Sequence, residues 1–303
     1  MQNLAPIVLF TFNRLSQTRQ TIEALAMNEL AKSSIIYIFS DGAKADASNE
    51  KRQEIQAVRQ FLNEVVKNSS QFGEVIIIER AENWGLSKSI IEGVTEIVNQ
   101  YGSVIVLEDD VVTSPYFLKF MNESLAFYKD KNGVLSIGAC NYFANDAEIA
   151  STIFTAVPDC YGWATWADRW ALFEKNGQKL LSDLERRGLM HRFNLEGAYN
   201  FEKMLKNQIS GKVSSWAVRW LAVSILNNKI NLYPNPSLSN HIAGEGATHA
   251  AETITPPLAQ IPIEIKAIPL SIEPIVHAKM RKAYAKQLSF MTKLKKKWAE
   301  LIS

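Results

Sequence analysis

The chain has 303 residues, 47% of them hydrophobic and 21% charged, with a formal charge of +2. That is ordinary globular composition, with core enough for one large domain or two modest ones. The charge does not call for nucleic acid, and no stretch approaches the roughly 20 apolar residues of a membrane span. The two cysteines, Cys140 and Cys160, form no CxxC pair and fit reduced residues better than a disulfide framework or a zinc site. "PIVLFTF" near the start is too short for a signal-peptide core and has no cleavage-like sequence after it, so the expected compartment is the cytoplasm.

In chain order, short β-branched and aromatic runs at Ile7–Phe12, Ile35–Phe39, Val75–Ile78 and Val104–Leu107 read as strands buried on both faces. Between them the apolar residues change to helical spacing. Ile22, Leu25 and Leu30 mark the first helix; Ile55, Val58, Leu62 and Val65 the second; Leu86, Ile90, Val94 and Ile97 the third. Strand and helix alternate, which predicts a mainly parallel sheet with right-handed crossovers. Polar groups follow each strand: Asn13-Arg14, Asp41-Gly42, Arg80 to Asn83, and Glu108 to Asp110. In open α/β sheets ligands bind at that carboxyl edge.

The acidic triplet Glu108-Asp109-Asp110 interrupts an apolar run, "VIVLEDDVV". Adjacent carboxylates at a strand end suit a hard divalent cation bound through oxygen, with room left for phosphate. The competing reading is a solvated turn whose acids cap the helix beginning near Ser114-Pro115. The polar clusters at the sibling strands favour a site.

These segments together resemble the GT-A-fold glycosyltransferases. "LEDDVVTSPYFLKFM" resembles the acidic metal motif of that fold in the Glu-Asp-Asp form of the N-acetylglucosaminyltransferase I family. "FTFNR", "FSDG" and "ENWGLSKSIIEGV" resemble its nucleotide-contacting segments, in the same order. "CYGWATWADRW" and "PNPSLSNHIAGEGATH" resemble bacterial surface-polysaccharide sugar transferases.

The resemblance implies a Rossmann-like sheet flanked by helices, with a catalytic domain over about 1–255. Its nucleotide-binding half would cover about 1–112 and its acceptor half about 113–255. It further implies a UDP-sugar donor, Mn²⁺ or Mg²⁺, and a glycan or lipid-linked acceptor. Asp110 would ligate the metal, with Glu108 and Asp109 near the ribose or metal-bound water. Asp41 would accept the uracil imide N–H, with Gly42 allowing close approach; Asn13, Arg14 and Lys88 would line the donor pocket. Asp41-Gly42 also reads as an ordinary turn, and Lys88 as a solvated helix residue. His249 is expected to complete the metal shell, with His241 as its rival and a plain loop histidine as the third reading. The resembled family places its catalytic acid in a Trp-Asp-Asp-Trp segment, but the counterpart "SSWAVRW" has no acid. Either Glu245 in "AGEGATH" serves as base, or the stereochemistry differs.

The middle of the chain carries Trp163, Trp166, Trp170, Trp216 and Trp220. Helical spacing makes Trp166 and Trp170 core residues, whereas Trp163, after a glycine, is expected to face an acceptor sugar. Asp168-Arg169 reads as a structural ion pair. Residues 256–303 form a proline-punctuated segment and then a helix pattern through Val276, Met280, Tyr284, Leu288 and Met291. Between Val276 and Ser303 eight Lys and Arg stand against Glu300 alone. This helix either packs on the domain with a solvated basic face or lies on anionic inner-leaflet lipid. The expected activity is sugar transfer in cell-surface polysaccharide synthesis. Its rivals are a sugar nucleotidyltransferase, disfavoured because "VLFTFNRLSQ" lacks a glycine-rich phosphate loop, and an inactive carbohydrate-binding homologue.

Overall fold

The four apolar runs of the first third become parallel strands. A computed structural model describes residues 4–67, 69–141, 146–242 and 257–286. Strands β1 (Ile7–Thr11), β2 (Ile35–Ser40), β3 (Glu74–Glu79) and β4 (Ser103–Glu108) alternate with helices α1 (Leu15–Ala26), α2 (Asn49–Lys67) and α3 (Leu86–Tyr101). β1, β2 and β4 are buried, whereas β3 ends the sheet and is only half-buried, which corrects the expectation of burial on both faces there. In β1, Ile7 and Leu9 face one layer, with Ile22 and Leu25 of α1 and Val58 and Leu62 of α2. Val8 and Phe10 face the other, with Ile90 and Val94 of α3. Period 2 on the strands thus meets period 3.6 on the helices.

The chain continues through β5 (Val111–Thr113), α4 (Phe117–Phe127), β6 (Val134–Gly138), β7 (Thr152–Thr155) and β8 (Trp163–Trp166). Helices α5 (Ala167–Trp170), α6 (Gly177–Arg186), α7 (Met190–Phe193), α8 (Phe201–Ile209) and α9 (Ala217–Leu226) follow, then β9 (Ile230–Pro234) and β10 (Ser239–His241). Eight strands form one sheet in the order β3-β2-β1-β4-β8-β6-β9-β7. β8 and β7 run antiparallel to their neighbours and the other pairings are parallel. The fold is therefore α/β, a mainly parallel Rossmann-like sheet flanked by helices, as the alternating pattern predicts.

Two features of this topology position the site. Register pairs Phe10 with Glu108 and Thr11 with Ser40, so the carboxyl ends of β1, β2 and β4 finish side by side. Immediately after the β4 turn, β5 leaves the sheet and pairs antiparallel with β10, placing His241 opposite Val111.

The segment 257–286 packs on this body. Ala259 and Ile263 join one core layer, and Ser114 Oγ donates to the Ala259 carbonyl at 2.7 Å. Helical turns over 274–286 bury Val276 against Ile149, Ile153 and Tyr233, and bury Met280 in the other layer. Lys279 pairs with Asp146 and Glu148, while His277 and Arg281 each reach Glu196 at 3.0 Å. In these turns the apolar side meets the domain, and the cations at 279 and 281 have protein carboxylates as partners. Residues 287–303, which hold Lys293 and Lys295 to Lys297, lie outside the described residues. No helix among the described residues is long and apolar enough to cross a membrane.

Candidate functional site

Strand β4 delivers Glu108 at its last position, and the turn that follows holds Asp109 and Asp110, which are 3% and 6% exposed. Three carboxylates so close repel one another unless cations or hydrogen bonds intervene. Arg14, the residue before α1, supplies the first cation. Its guanidinium bonds Asp109 and reaches Asp110 Oδ2 at 2.6 Å. Burial works against the Arg14 charge, but Asp109 and Asp110 outweigh it and hold its pKa above the ordinary arginine value. The backbone fixes the acids further: Thr21 Oγ1 donates to the Asp109 carbonyl at 3.0 Å, and the Phe12 N–H donates to Asp109 Oδ2 at 3.4 Å.

His241 supplies the second partner. Its Nε2 lies 3.2 Å from Asp110 Oδ2, its ring centroid is 5.0 Å from that of Tyr161, and the Ile242 N–H donates to the Asp110 carbonyl at 2.8 Å. Burial pushes the Asp110 carboxyl up, but the His241 bond and the Arg14 charge prevail and hold it below the usual range. Asp110 Oδ1 is buried and has no hydrogen-bond partner among the described residues. An orphaned carboxylate oxygen beside an imidazole is a chemically apt place for a divalent cation. Among the described residues no group of three His, Cys, Asp or Glu gathers to hold a metal unaided. Asp110 and His241 would thus be two ligands, leaving the remaining positions to water and phosphate, as Mg²⁺ commonly has. Glu108 differs from its neighbours: burial first, then the Asp110 and Asp109 charges, push its carboxyl up to about 8, against a hydrogen bond from Trp216.

At the end of β2, Asp41 is 7% exposed and its carboxylate is engaged by backbone. It accepts from the N–H groups of Gly42 at 3.1 Å, Trp84 at 2.9 and 3.1 Å, and Gly85 at 2.9 Å. Gly85 can present its N–H this way because it sits at φ +70, which favours glycine. Gly42 is required for a different contact than expected. A Cβ there would lie 2.6 Å from the Glu82 carbonyl carbon, so the close approach is to the chain's own backbone. Asp41 and Gly42 together lock the ends of β2 and β3. Asn13 donates to Glu54 of α2 at 2.5 Å, and Lys88, exposed on α3, lies 4.2 Å from the centre of the Trp84 ring.

Trp163 corrects the expectation for it. It is 1% exposed, stacked on Trp216 at 5.0 Å and packed against Trp170 at 5.6 Å, so its ring has no free face for a sugar. Because β8 lies between β4 and β6, its side chains are enclosed on both faces, Trp163 in the second core layer and Ala164 and Trp166 in the first. Trp166 and Trp170 are also buried, with indole N–H groups donating to the Leu125 carbonyl and Thr95 Oγ1. Asp168 and Arg169 form an ion pair at 2.7 Å. The two remaining sites, Glu245 and His249, lie outside the described residues.

Three further residues of this edge carry little signal in the sequence. His241 was visible only as a rival, because its proximity to Asp110 depends on the β5–β10 pairing. Trp216 reaches Glu108 although "SSWAVRW" carries no acid. Arg80 follows β3 and is 9% exposed; its place after a strand was its one sequence signal.

No protein-family model matches the chain, and no curated protein matches it. Among solved structures, the crystal structure of S. aureus TarS is similar at 14% identity, with a TM-score of 0.31. The similarity covers 45% of this chain and 21% of that one, a likeness too slight and partial to bear on activity.

Proposed function

We propose that the chain is a metal-dependent glycosyltransferase that moves a sugar from a UDP-sugar to a glycan or lipid-linked acceptor of cell-surface polysaccharide. The observation that carries this reading is the pairing of Asp110 with His241 around an unpartnered carboxylate oxygen, at the shared carboxyl edge of β1, β2 and β4. A bound Mn²⁺ or Mg²⁺ would neutralise charge on the departing nucleoside diphosphate.

The chain's own residues then divide the work. Asp110 and His241 would hold the cation, and Arg14, which pairs with Asp109 and Asp110, would yield Asp110 to it and offer a phosphate oxygen its planar fork. Asp109 keeps Arg14 at the mouth of the site, and Glu108 and Asn13 face the ribose side. Asp41 and Gly42 shape the base end by fixing the 84–85 turn, and Lys88 lies beside it. For the base that deprotonates the acceptor hydroxyl, Glu245 is the choice. It follows His241 by four residues, within about 14 Å of extended chain, which is the sequence ground for the choice. His249, eight residues after His241, is a reserve metal ligand.

The direct test is UDP release from UDP-sugars. Turnover that needs Mn²⁺ or Mg²⁺ and disappears in Asp110→Asn supports the assignment. Full turnover in chelator, or in that variant, contradicts it.

A further inference from the structure

Among the described residues Arg80 is a buried cation with no ion-pair partner. It stands at the carboxyl end of β3, 9% exposed, and its Nε is enclosed with no hydrogen-bond partner among them. Its guanidinium makes no hydrogen bond or ion pair to any described residue. Its contacts are rings: its Cζ lies 3.4 Å from the centre of Trp84 and 5.2 Å from that of Phe39. Lys88 adds a second cation 4.2 Å from the same Trp84 ring, and it too has no described carboxylate within ion-pair distance. Burial pushes the Arg80 pKa down and outweighs the charges of Asp41, Glu96 and Glu92, which act from beyond ion-pair distance, and the Asp41 oxygens are engaged by three backbone N–H groups.

Ring faces attract cations, but they do not accept the in-plane N–H donors of a guanidinium. Enclosing the Nε donor without an acceptor is costly, and an anion at the exposed edge of the guanidinium would offset the charge that burial disfavours. The neighbouring backbone is already rigid. Arg59 donates to the carbonyls of Ser40, Asp41 and Arg80, with the last at 2.7 Å, and so ties the ends of β2 and β3 beneath the two cations. β2 and β1 separate this place from β4, so it lies about 14 Å across the sheet from the acidic turn at ordinary strand spacing.

We propose that Arg80 and Lys88, each within 4.2 Å of the centre of the Trp84 ring, bind an anionic oxygen group, a phosphate or a carboxylate, at a position separate from Asp110 and His241. The site shares Lys88 with the donor edge of the proposed transferase, and its anion binding is read in chelator, apart from any metal-dependent step. Free phosphate and a phosphate carried on a larger ligand share this chemistry, and the probes below separate them.

The experiment is calorimetric titration of the full chain in chelator with inorganic phosphate, pyrophosphate, acetate and UDP. At least one of these anions should bind the wild type, and R80Q should weaken that binding at least about tenfold, as loss of a charge-assisted contact implies. K88Q should weaken it by about threefold or more, and D110N should leave it unchanged. Binding of inorganic phosphate that competes with UDP marks one shared position. UDP binding that phosphate cannot displace marks a ligand-borne group with further contacts. Because Arg80 is buried, circular dichroism must show R80Q folded; if it is not, exposed Lys88 decides, and K88Q binding as tightly as wild type overturns the proposal. Wild-type affinity in folded R80Q, or no anion bound by the wild type, also overturns it. Anion binding at Arg80 with no metal-dependent UDP binding at Asp110 would retain this site and remove the transferase reading.

Discussion

His241 Nε2 and Asp110 Oδ2 lie 3.2 Å apart although 131 residues separate them in the chain. The contact exists because β5 abandons the main sheet directly after the acidic turn and takes β10 as its partner. If both groups ligate a cation, His241→Gln should weaken Mn²⁺ binding in the presence of UDP at least about tenfold, since even outer-shell partners of metal ligands are worth 10–100-fold. Electron paramagnetic resonance of free Mn²⁺ measures this directly. An unchanged dissociation constant would make the histidine a structural partner of Asp110 alone.

Arg14 pairs with both buried aspartates, Asp109 and Asp110. Arg14→Gln should therefore lower stability in chelator by about 2–3 kcal/mol, less than a fully buried pair because Arg14 is partly exposed. Added Mn²⁺ should restore much of that loss and bind more tightly to the variant than to wild type, because the competing cation is gone. Thermal unfolding with and without Mn²⁺ checks both parts. A variant as stable as wild type in chelator would show that Arg14 does not balance the acids.

Asp41→Asn separates a structural role from a base contact. An amide has one acceptor oxygen and sets its NH₂ against backbone donors, so a buried N–H of Trp84 or Gly85 loses its partner. The expected cost is about 1–3 kcal/mol, read from the denaturation midpoint. Binding of UDP and CDP should weaken by similar factors. A selective loss for UDP would instead mean that the carboxylate reaches the base.

The tail offers a prediction about packing. Met280 is 3% exposed within the second core layer, so Met280→Ala should destabilise the protein by about 2–4 kcal/mol. A chain ending at residue 286 should keep wild-type stability, because it retains Val276, Met280 and Tyr284. A negligible effect of Met280→Ala in urea unfolding would show that these turns are only loosely held, and would return the basic helix to the membrane reading.

The sheet's first four strands were legible because each is a short β-branched run with helical spacing between, a pattern with few alternative solutions, although the edge position of β3 was not. The acidic turn was legible because carboxylates inside an apolar run need a reason. Trp163 was misjudged because local sequence cannot tell a strand that is flanked on both sides from one at an edge. Asp41 and Gly42 were placed correctly at a strand end, yet their partners in the 81–85 turn are contacts between distant segments and leave no periodicity to read. The same limit hid His241: a three-residue strand carries too little pattern to announce its mate. Arg80 shows the converse, a residue whose interest comes from partners that are missing, which only coordinates reveal.

The central claim is that Asp110 anchors a metal–nucleotide complex at the edge of β4. Its most direct measurement is the thermal midpoint of the wild type and of Asp110→Asn with UDP, CDP and ADP, each with Mn²⁺ or chelator. A ligand at 100 times its dissociation constant adds about 2.7 kcal/mol to stability, a readily measured shift. The account predicts a clear rise for wild type with UDP and Mn²⁺, smaller rises with CDP and ADP, and loss of the UDP effect in chelator and in Asp110→Asn. A UDP shift of equal size in chelator and in Asp110→Asn, or no shift with any nucleotide and Mn²⁺, would contradict it.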